Sequence, residues 1–582
     1  MIRNETMKIM VQNPDSDDKW FSFNDVCEVL RADRLEDVLP VLEGASRAAD
    51  AGLYAVGFLT YEAAGAMDRV LDTHESASLP LAWFAICGAC DSVSLSTEAM
   101  DLPFSVREWT PSMSATEYSG AVGRIKRLLE SGDTYQVNFT FQLETEFSGA
   151  PAGLFSRMTQ AQQARYGAFI ETDSFAICSA SPELFLHQDR NLLVSRPMKG
   201  TARRGMTTEE DRSIASTLHA SPKDRAENVM IVDMIRNDMG RIAVPGTVVA
   251  NDLYDVARYP TVWQMTSLVE CRNRASFTET LQALFPCASI TGAPKVRTMQ
   301  VIKDLETRPR GVYTGCVGFL APEQRMLFNV AIRTVSIDKL TGRACYGVGS
   351  GVVWDSVDLA EYEECLLKAD VLTTEVSEFE LLETLLWEPR KGFFLEEEHL
   401  KRLHESAEYF CFNLDSEKLH RELVAAVDAS VGQSQRVRLR VARNGNVQVD
   451  RQELAAPRQE PWCVALAADP VSKNNRFLYH KTTNRAVYEN ARASHPECHD
   501  VILWNTEGEV TESTIANVVI EKAGLLITPP IECGLLAGTF RERLLNEGKI
   551  EEGVVLVDDL VAADKLFLIN SVRKWMPARL TV

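Results

Sequence analysis

The sequence predicts an α+β fold over its larger N-terminal part and a second, smaller α/β region after it. Three observations carry this. Runs rich in β-branched and aromatic residues, such as FAICSAS and ELFLHQ, recur at strand length. Segments with apolar residues at helical spacing stand between them, EYSGAVGRIKRLLESG among them. A composition shift near Thr373–Glu378 then opens a region with its own strands and helices.

Taken in order, GLYAVGFLTY and LAWFAICGA read as strands and Arg34–Ala49 as a helix, and residues 1–115 carry no pattern tied to chemistry. Residues 117–132 read as a helix leading into the half-buried strand TYQVNFTFQLETEF. FAICSAS, ELFLHQ, NLLVSRPM, RMLFNVAIRTVSI and RACYGVGSG are the further strands, with helices at 209–220, 224–239, 277–286 and 359–373. The second region offers the strand FELLETLLW, the helix EEHLKRLHESAEYF, the strand RVRLRVARNG and a strand-and-helix pattern from about 475 onward.

Composition limits the partners. The chain has 582 residues, 45% of them hydrophobic and 25% charged, as in a soluble enzyme. A net charge of -21 argues against nucleic acid and against an anionic membrane surface. An acidic chain that binds an acidic metabolite must build its positive site locally. The 13 cysteines include one close pair, Cys87 and Cys90, with no second pair to complete a zinc site, and read as thiols of a reducing compartment. The N-terminus lacks an apolar leader, and no stretch approaches the roughly 18 apolar residues a membrane span needs, so the expectation is cytoplasmic.

The segment SPKDRAENVMIVDMIRNDMGR, residues 221–241, organises the first region. Its apolar middle suggests a helix buried on most of its circumference. Asp224 and Glu227 lie three apart at its start, where the helix dipole favours negative charge. AEYEECLLK repeats the device with Glu361 and Glu364, followed by Lys368. Each alone reads as a capped helix or a surface ion pair; together they suit Mg²⁺, a hard cation that takes carboxylate oxygens, waters and an anionic substrate. Between them YGVGSG has glycines at 347, 349 and 351 that could free backbone amides as an anion-binding nest. SITGAPK offers Ser289 and a Gly292 able to approach a ligand, and Arg333 is a fork for a carboxylate. In isolation these read as a hairpin turn and a strand-edge arginine. Lys199, between an apolar strand and a glycine, is placed to lose its proton and attack carbon.

RPMKGTARRG, KDRAENVMIVDMIRNDMGRI, FPCASITGAPKVRTM, GVYTGCVGF, AIRTV and GVGSGVVWDSVDLAEYEECLLKA closely resemble, in order, the motifs of the chorismate-utilising enzymes. These include anthranilate synthase large subunits, isochorismate synthases and aminodeoxychorismate synthase component I. The resemblance implies large antiparallel sheets with outer helices over 1–374, of which 1–115 is the N-terminal part. It implies that Glu227 and Glu364 ligate Mg²⁺, with Asp224 and Glu361 behind them through water. Tyr313, Arg333, Ser289, Gly292, Lys368 and the amides of Gly349, Ser350 and Gly351 would hold chorismate. Anthranilate synthases have a small residue where Lys199 stands; aminodeoxychorismate synthases have lysine, implied to add at ring C2 so that ammonia enters at C4. Where anthranilate synthases carry a histidine this chain has Gln264, which leaves the acid for the departing hydroxyl unassigned; protonated Lys295 and a metal-bound water are the candidates.

In the second region Lys481 follows an aromatic segment read as a strand, Glu512 opens a polar run, Gly538 and Thr539 begin a helix suited to phosphate, and NSVRKW supplies Asn570 and Ser571. Lysine, phosphate cradle and acid suggest pyridoxal 5'-phosphate. FELLETL, EEHLKRLHESA, HKTTNR, EGEVTESTIANV and LLAGTFRERLL resemble the class IV pyridoxal-phosphate enzymes, which implies a two-lobed α/β domain over 375–582. Lys481 would be the Schiff-base lysine, Glu512 the pyridinium partner and Arg402 a phosphate ligand. The family's DRGLxYGDG segment is absent. The two resemblances together imply a bifunctional enzyme of 4-aminobenzoate synthesis that draws ammonia from a separate glutamine amidotransferase subunit. An anthranilate synthase fused to an aminotransferase, a synthase with a non-catalytic C-terminal module, and an isochorismate synthase are the alternatives.

Overall fold

Two distant segments of the first unit, Gln136–Gly149 and Arg343–Val352, pair antiparallel from Glu146 opposite Arg343 to Val137 opposite Val352. The computed structural model describes residues 7–16, 19–76, 78–94, 102–374, 378–427, 433–456 and 458–581. The chain divides into two compact units, Met1–Arg203 with Ala215–Val376, and Arg204–Ile214 with Ser377–Val582. Residues 375–377, inside the expected composition shift, lie outside the described residues.

Among the described residues every strand pairing of the first unit is antiparallel. Alternation sets which side each strand buries. Val137, Phe139, Phe141 and Leu143 point inward and are at most 5% exposed. They meet Tyr118, Val122 and Ile125, which the helix Ala115–Glu130 brings to one face at four- and three-residue spacing. Each such side chain contributes about 1.5–3 kcal/mol by leaving water. Ser114 and Glu117 close a capping box at the start of that helix.

Four expectations change in the first unit. The helix Pro222–Gly240, capped by Ser221, buries one face only, through Asn228, Ile231, Val232, Ile235 and Met239; Asp233, Arg236 and Asn237 put its other side in water. The helix expected to reach 373 ends at Leu367, because the Lys368 carbonyl turns aside to accept from Tyr346 Oη at 2.9 Å and from the Arg333 guanidinium. The strand expected through Arg333 breaks into Arg325–Val330 and Thr334–Asp338, with Arg333 itself at φ 51°.

The fourth change concerns YGVGSG, which is no nest. Its glycines sit inside the extended strand Arg343–Val352, and the reason is close approach. A Cβ on Gly347 would lie 2.1 Å from Cγ of Tyr313, and one on Gly351 would lie 2.3 Å from Gln136 Nε2 and 2.9 Å from Lys199 Nζ.

The second unit holds a four-stranded antiparallel sheet centred on Leu381–Glu388 and Gln435–Val441, and an eight-stranded mixed sheet. The helix Glu396–Phe410 covers the smaller sheet, setting Leu403, Ala407 and Phe410 against Leu381, Leu385, Val437 and Leu439. The aromatic segment before Lys481 is a 3-10 turn, Arg476–Leu478, capped by Asn475, in place of the expected strand. Lys481 is anchored through its carbonyl, which accepts from the Leu382 amide at 3.0 Å. Among the described residues no helix is long and apolar enough to cross a membrane.

Candidate active sites

Among the described residues each unit contains a cavity lined by expected residues. In the first, of about 250 Å³, the walls come from the strand Met198–Arg203, the start of the helix Pro222–Gly240, the middle and end of the helix Asp358–Leu367, and the glycine strand. Lys199, Asp224, Glu227, Glu361, Glu364 and Lys368 all line it, as do Ser289, Tyr313, Arg333, Gly349 and Gly351. Two expected residues do not. Ser350 alternates to the far face of its strand, where its hydroxyl lies 2.9 Å from Tyr118 Oη. Gly292 faces the Gln136 carbonyl, which a Cβ would approach to 2.1 Å, so its small size serves strand packing.

The charges in this cavity restrain one another. Burial drives the Lys199 amine toward its neutral form and Lys368 repels it further, which together outweigh the pull of Glu227, Glu183 and Glu364. Burial likewise pushes the Glu227 carboxyl up, and Asp224 and Glu361 add to the push while Lys199 and Lys223 offset part of it. Glu364 is the exception: burial is overcome by Lys368, whose Nζ lies 2.5 Å away, and the carboxyl is held below its usual range. Lys368 also donates to the Gly349 carbonyl at 2.9 Å.

A divalent cation fits the chemistry of this donor set, four carboxylates of which one is raised partly by its acidic neighbours. The ligand shell is not drawn together in advance. Among the described residues no three His, Cys, Asp or Glu side chains converge as a metal-holding group. Glu364 is engaged by Lys368, and Asp224 accepts from Ser221 Oγ at 2.5 Å.

Glu183 is the residue that sequence reasoning missed. It is 3% exposed, lines the cavity beside Lys199, and accepts from Ser289 Oγ at 2.7 Å. Burial raises its carboxyl to about 7, against the stabilising pull of Ser289 and Lys199. Its signal was available, since it is the lone charged residue in the run FAICSASPELFL. Lys295, considered earlier as the acid, is instead tied to Asp238 at 2.8 Å. Gln264 lines the cavity and donates to Thr201 Oγ1 at 3.2 Å.

The second unit's cavity, of about 390 Å³, gathers all seven expected residues: Lys481, Glu512, Arg402, Gly538, Thr539, Asn570 and Ser571. Burial, reinforced by Arg402 and Arg485, lowers the Lys481 amine to about 8 against the pull of Glu383 and Glu512. Burial raises the Glu512 carboxyl to about 7 although Tyr488 Oη donates to it at 2.7 Å. Gly538 opens the helix Thr539–Asn546 with no side-chain cap, and a Cβ there would strike Asn517 Oδ1 at 1.9 Å. An amine poised to lose its proton, a buried acid and an uncapped helix start fit pyridoxal phosphate.

Arg402 is held by a residue not singled out from sequence. Its Nε and Nη2 each donate to Glu383 at 2.8 Å, and Nη1 donates to the Ala537 carbonyl at 2.9 Å. Nη2 also lies 3.5 Å from His399 Nδ1, so of the five N–H groups a guanidinium carries, one is left for an anion. Arg402 and His399 hold the buried Glu383 carboxyl well below the usual range, more than offsetting burial.

Residues 11–374 match the family described as chorismate binding enzyme. The chain belongs to that family. Residues 380–580 match the family described as amino-transferase class IV, which supports pyridoxal phosphate as the cofactor of the second unit. Both family resemblances read from the sequence are thus borne out, and with them the fold class. This chorismate binding enzyme is 39% identical over 254 residues to aminodeoxychorismate synthase component 1 of Bacillus subtilis (strain 168), across 43% of this chain and 54% of that protein. It is 38% identical over 265 residues to anthranilate synthase component 1 3 of Haloarcula marismortui, across 45% of this chain and 52% of that one. The chain spans about half the length of these curated relatives. Anthranilate synthase component I from Streptococcus pneumoniae TIGR4 is alike in fold, with a TM-score of 0.54 at 22% identity over 64% of this chain and 94% of that one.

Proposed function

We propose that this is a bifunctional cytoplasmic enzyme of 4-aminobenzoate synthesis. Residues 1–374 would aminate chorismate at C4, using ammonia from a glutamine amidotransferase partner, and residues 375–582 would eliminate pyruvate from the resulting 4-amino-4-deoxychorismate. The observation that carries the reading is Lys199, an amine pushed toward neutrality beside a protonated-range acid, Glu183, in one cavity with four carboxylates.

Mg²⁺ would be held by Glu227 and Glu364, with Asp224 and Glu361 behind them, and would supply charge neutralisation of the substrate's ring carboxylate. Arg333 and Tyr313 orient the anionic substrate from the lining of the same cavity. The neutral Lys199 amine adds to ring C2 as the C4 hydroxyl departs with a proton from Glu183. Ammonia then bonds to C4 while the C2–N bond breaks, which returns Lys199 for the next turnover.

Pyridoxal phosphate would be held by Lys481, by the Gly538–Thr539 helix start, by the remaining N–H group of Arg402, and by Asn570 and Ser571. When bound it supplies an electron sink for the substrate amine. Glu512 keeps a proton at the pyridine nitrogen, and Tyr488 holds that carboxyl in place. Lys481 takes the proton from substrate C4; the C3–O bond then breaks, the side chain leaves as enolpyruvate that takes up a proton at its methylene carbon to become pyruvate, and the ring becomes aromatic.

The similarity to a protein named anthranilate synthase favours a second reading, in which the amine enters beside the carboxylate. Incubating the protein with chorismate and ammonium, with and without pyridoxal phosphate, decides between them. The proposal expects pyruvate and 4-aminobenzoate only when the cofactor is present. 2-Aminobenzoate, or isochorismate without ammonia uptake, overturns it.

A further inference from the structure

Apart from both cavities, two thiols of the second unit face each other. Cys463 lies on the strand Trp462–Leu466 and Cys498 in the turn before the strand Asp500–Trp504, and their Sγ atoms are 3.6 Å apart. The strands run parallel, with Val464 opposite Asp500. One backbone bond and one side-chain bond lock this register beside the pair: the His499 amide donates to the Cys463 carbonyl at 2.8 Å, and the Cys463 amide donates to the ring nitrogen His499 Nδ1 at 2.9 Å. The thiols are therefore neighbours by strand pairing as well as by side-chain position. Closing the gap to a sulfur–sulfur bond of about 2.05 Å takes a side-chain rotation of about 1.5 Å at sulfur.

The two thiols are unequal. Cys463 is partly open to water and its Sγ is 2.8 Å from Thr581 Oγ1; that contact and the one to Cys498 hold its thiol below the usual value. Cys498 is 6% exposed, and burial holds its thiol above it. This is the arrangement of an attacking thiol backed by a resolving one.

We propose that Cys463 and Cys498 are a modification site that forms a reversible intramolecular disulfide, with a peroxide as the oxidant. The Cys463 thiolate attacks one peroxide oxygen; the O–O bond breaks, hydroxide leaves and takes a proton to become water, and Cys463 is left as a sulfenic acid. The Cys498 thiolate then attacks that sulfur and expels a second hydroxide, which is protonated to water. Two thiols are oxidised, one peroxide is reduced, and two waters form. The bond cross-links positions 35 apart in sequence, beside Asp500, whose carboxylate accepts from Thr514 Oγ1 at 2.5 Å. Thr514 lines the second cavity, so Asp500, two residues along the chain from Cys498, is one buried hydrogen bond from that wall.

The test treats the full-length protein with stoichiometric hydrogen peroxide, alkylates the remaining thiols and maps unreduced peptides by mass spectrometry. The expected result is a joined pair of peptides carrying Cys463 and Cys498, two fewer alkylated thiols among the 13, and full reversal by dithiothreitol. Cys463→Ser and Cys498→Ser should each abolish the joined pair with circular dichroism unchanged. Because the wild-type map needs no variant, a misfolded variant leaves the test intact. Finding Cys463 driven to sulfinic acid, or both thiols still free while the exposed Cys27 and Cys411 are oxidised, overturns the proposal.

Discussion

Ser289 donates a 2.7 Å hydrogen bond to Glu183 inside the cavity that also holds Lys199. Glu183 is raised to about 7, so it carries its proton below neutral pH and loses it above. If the proton serves the departing hydroxyl, kcat for amination falls as pH rises through about 7. Glu183→Gln should lower kcat by about 10²–10⁴-fold and flatten that limb. A pH–rate profile of both proteins under saturating chorismate is the check.

Lys368 holds one carboxylate oxygen of Glu364 and so competes with a cation for that side chain. We expect chelation to stop chorismate amination and added Mg²⁺ to restore it, while Glu364→Gln raises the Mg²⁺ concentration for half activity by at least about tenfold. Magnesium titrations followed by intrinsic fluorescence as well as turnover separate binding from chemistry. Undiminished turnover after exhaustive chelation would falsify the metal assignment.

Gly347 leaves room for the Tyr313 ring. Gly347→Ala should displace that ring or the strand, lowering stability by about 1–3 kcal/mol as an overpacked core site does. Chorismate KM should rise in the same variant, because Tyr313 lines the cavity. Thermal unfolding and steady-state kinetics read the two effects separately.

Lys481 has its amine lowered to about 8, and only the neutral amine can attack a carbonyl. Uptake of pyridoxal phosphate by the cofactor-free protein should therefore accelerate as pH rises from 6 to about 8 and then level off. Lys481→Ala should show no covalent capture at any pH. Stopped-flow absorbance of the cofactor follows both.

His480 is 5% exposed, held between Ser406 Oγ at 3.0 Å and the Met206 carbonyl at 3.1 Å, and burial lowers its pKa to about 3. A folded-state value below the unfolded one means the unfolded chain binds the extra proton. The stability involved is present above about 6.5 and is lost as pH falls toward 3, by about 1.4 kcal/mol per pH unit inside that window. Urea midpoints of the second unit at pH 7.5 and 5 should differ less in His480→Gln than in the unsubstituted protein; an equal pH dependence would rule the histidine out as its source.

Much of this site was legible because its acids come in pairs at helical spacing on two segments. Asp224 with Glu227 and Glu361 with Glu364 stood out in this way, and all four line the cavity. What the sequence hid was the direction of side chains and the company of charges. Alternation along a strand decides that Gly349 lines the cavity and Ser350 turns to Tyr118, a distinction that depends on recognising YGVGSG as extended. Glu183, in the link between two strands, and Glu383, inside one, were passed over because burial of an acid is visible only once its partners, Ser289 for one and Arg402 with His399 for the other, are in place. The break at Arg333 has no local punctuation such as Gly or Pro to announce it.

The glycine strand also limits how this enzyme can diversify. At 347, 349 and 351 any larger residue meets a ring, a threonine or a glutamine amide with no slack, so one wall of the cavity is closed to substitution. New substrate preferences would have to arise through side chains elsewhere on the lining, such as Met198, Gln264 or Ile332. A saturation library across the cavity would then return nearly all its active members from those positions and almost none from the glycines.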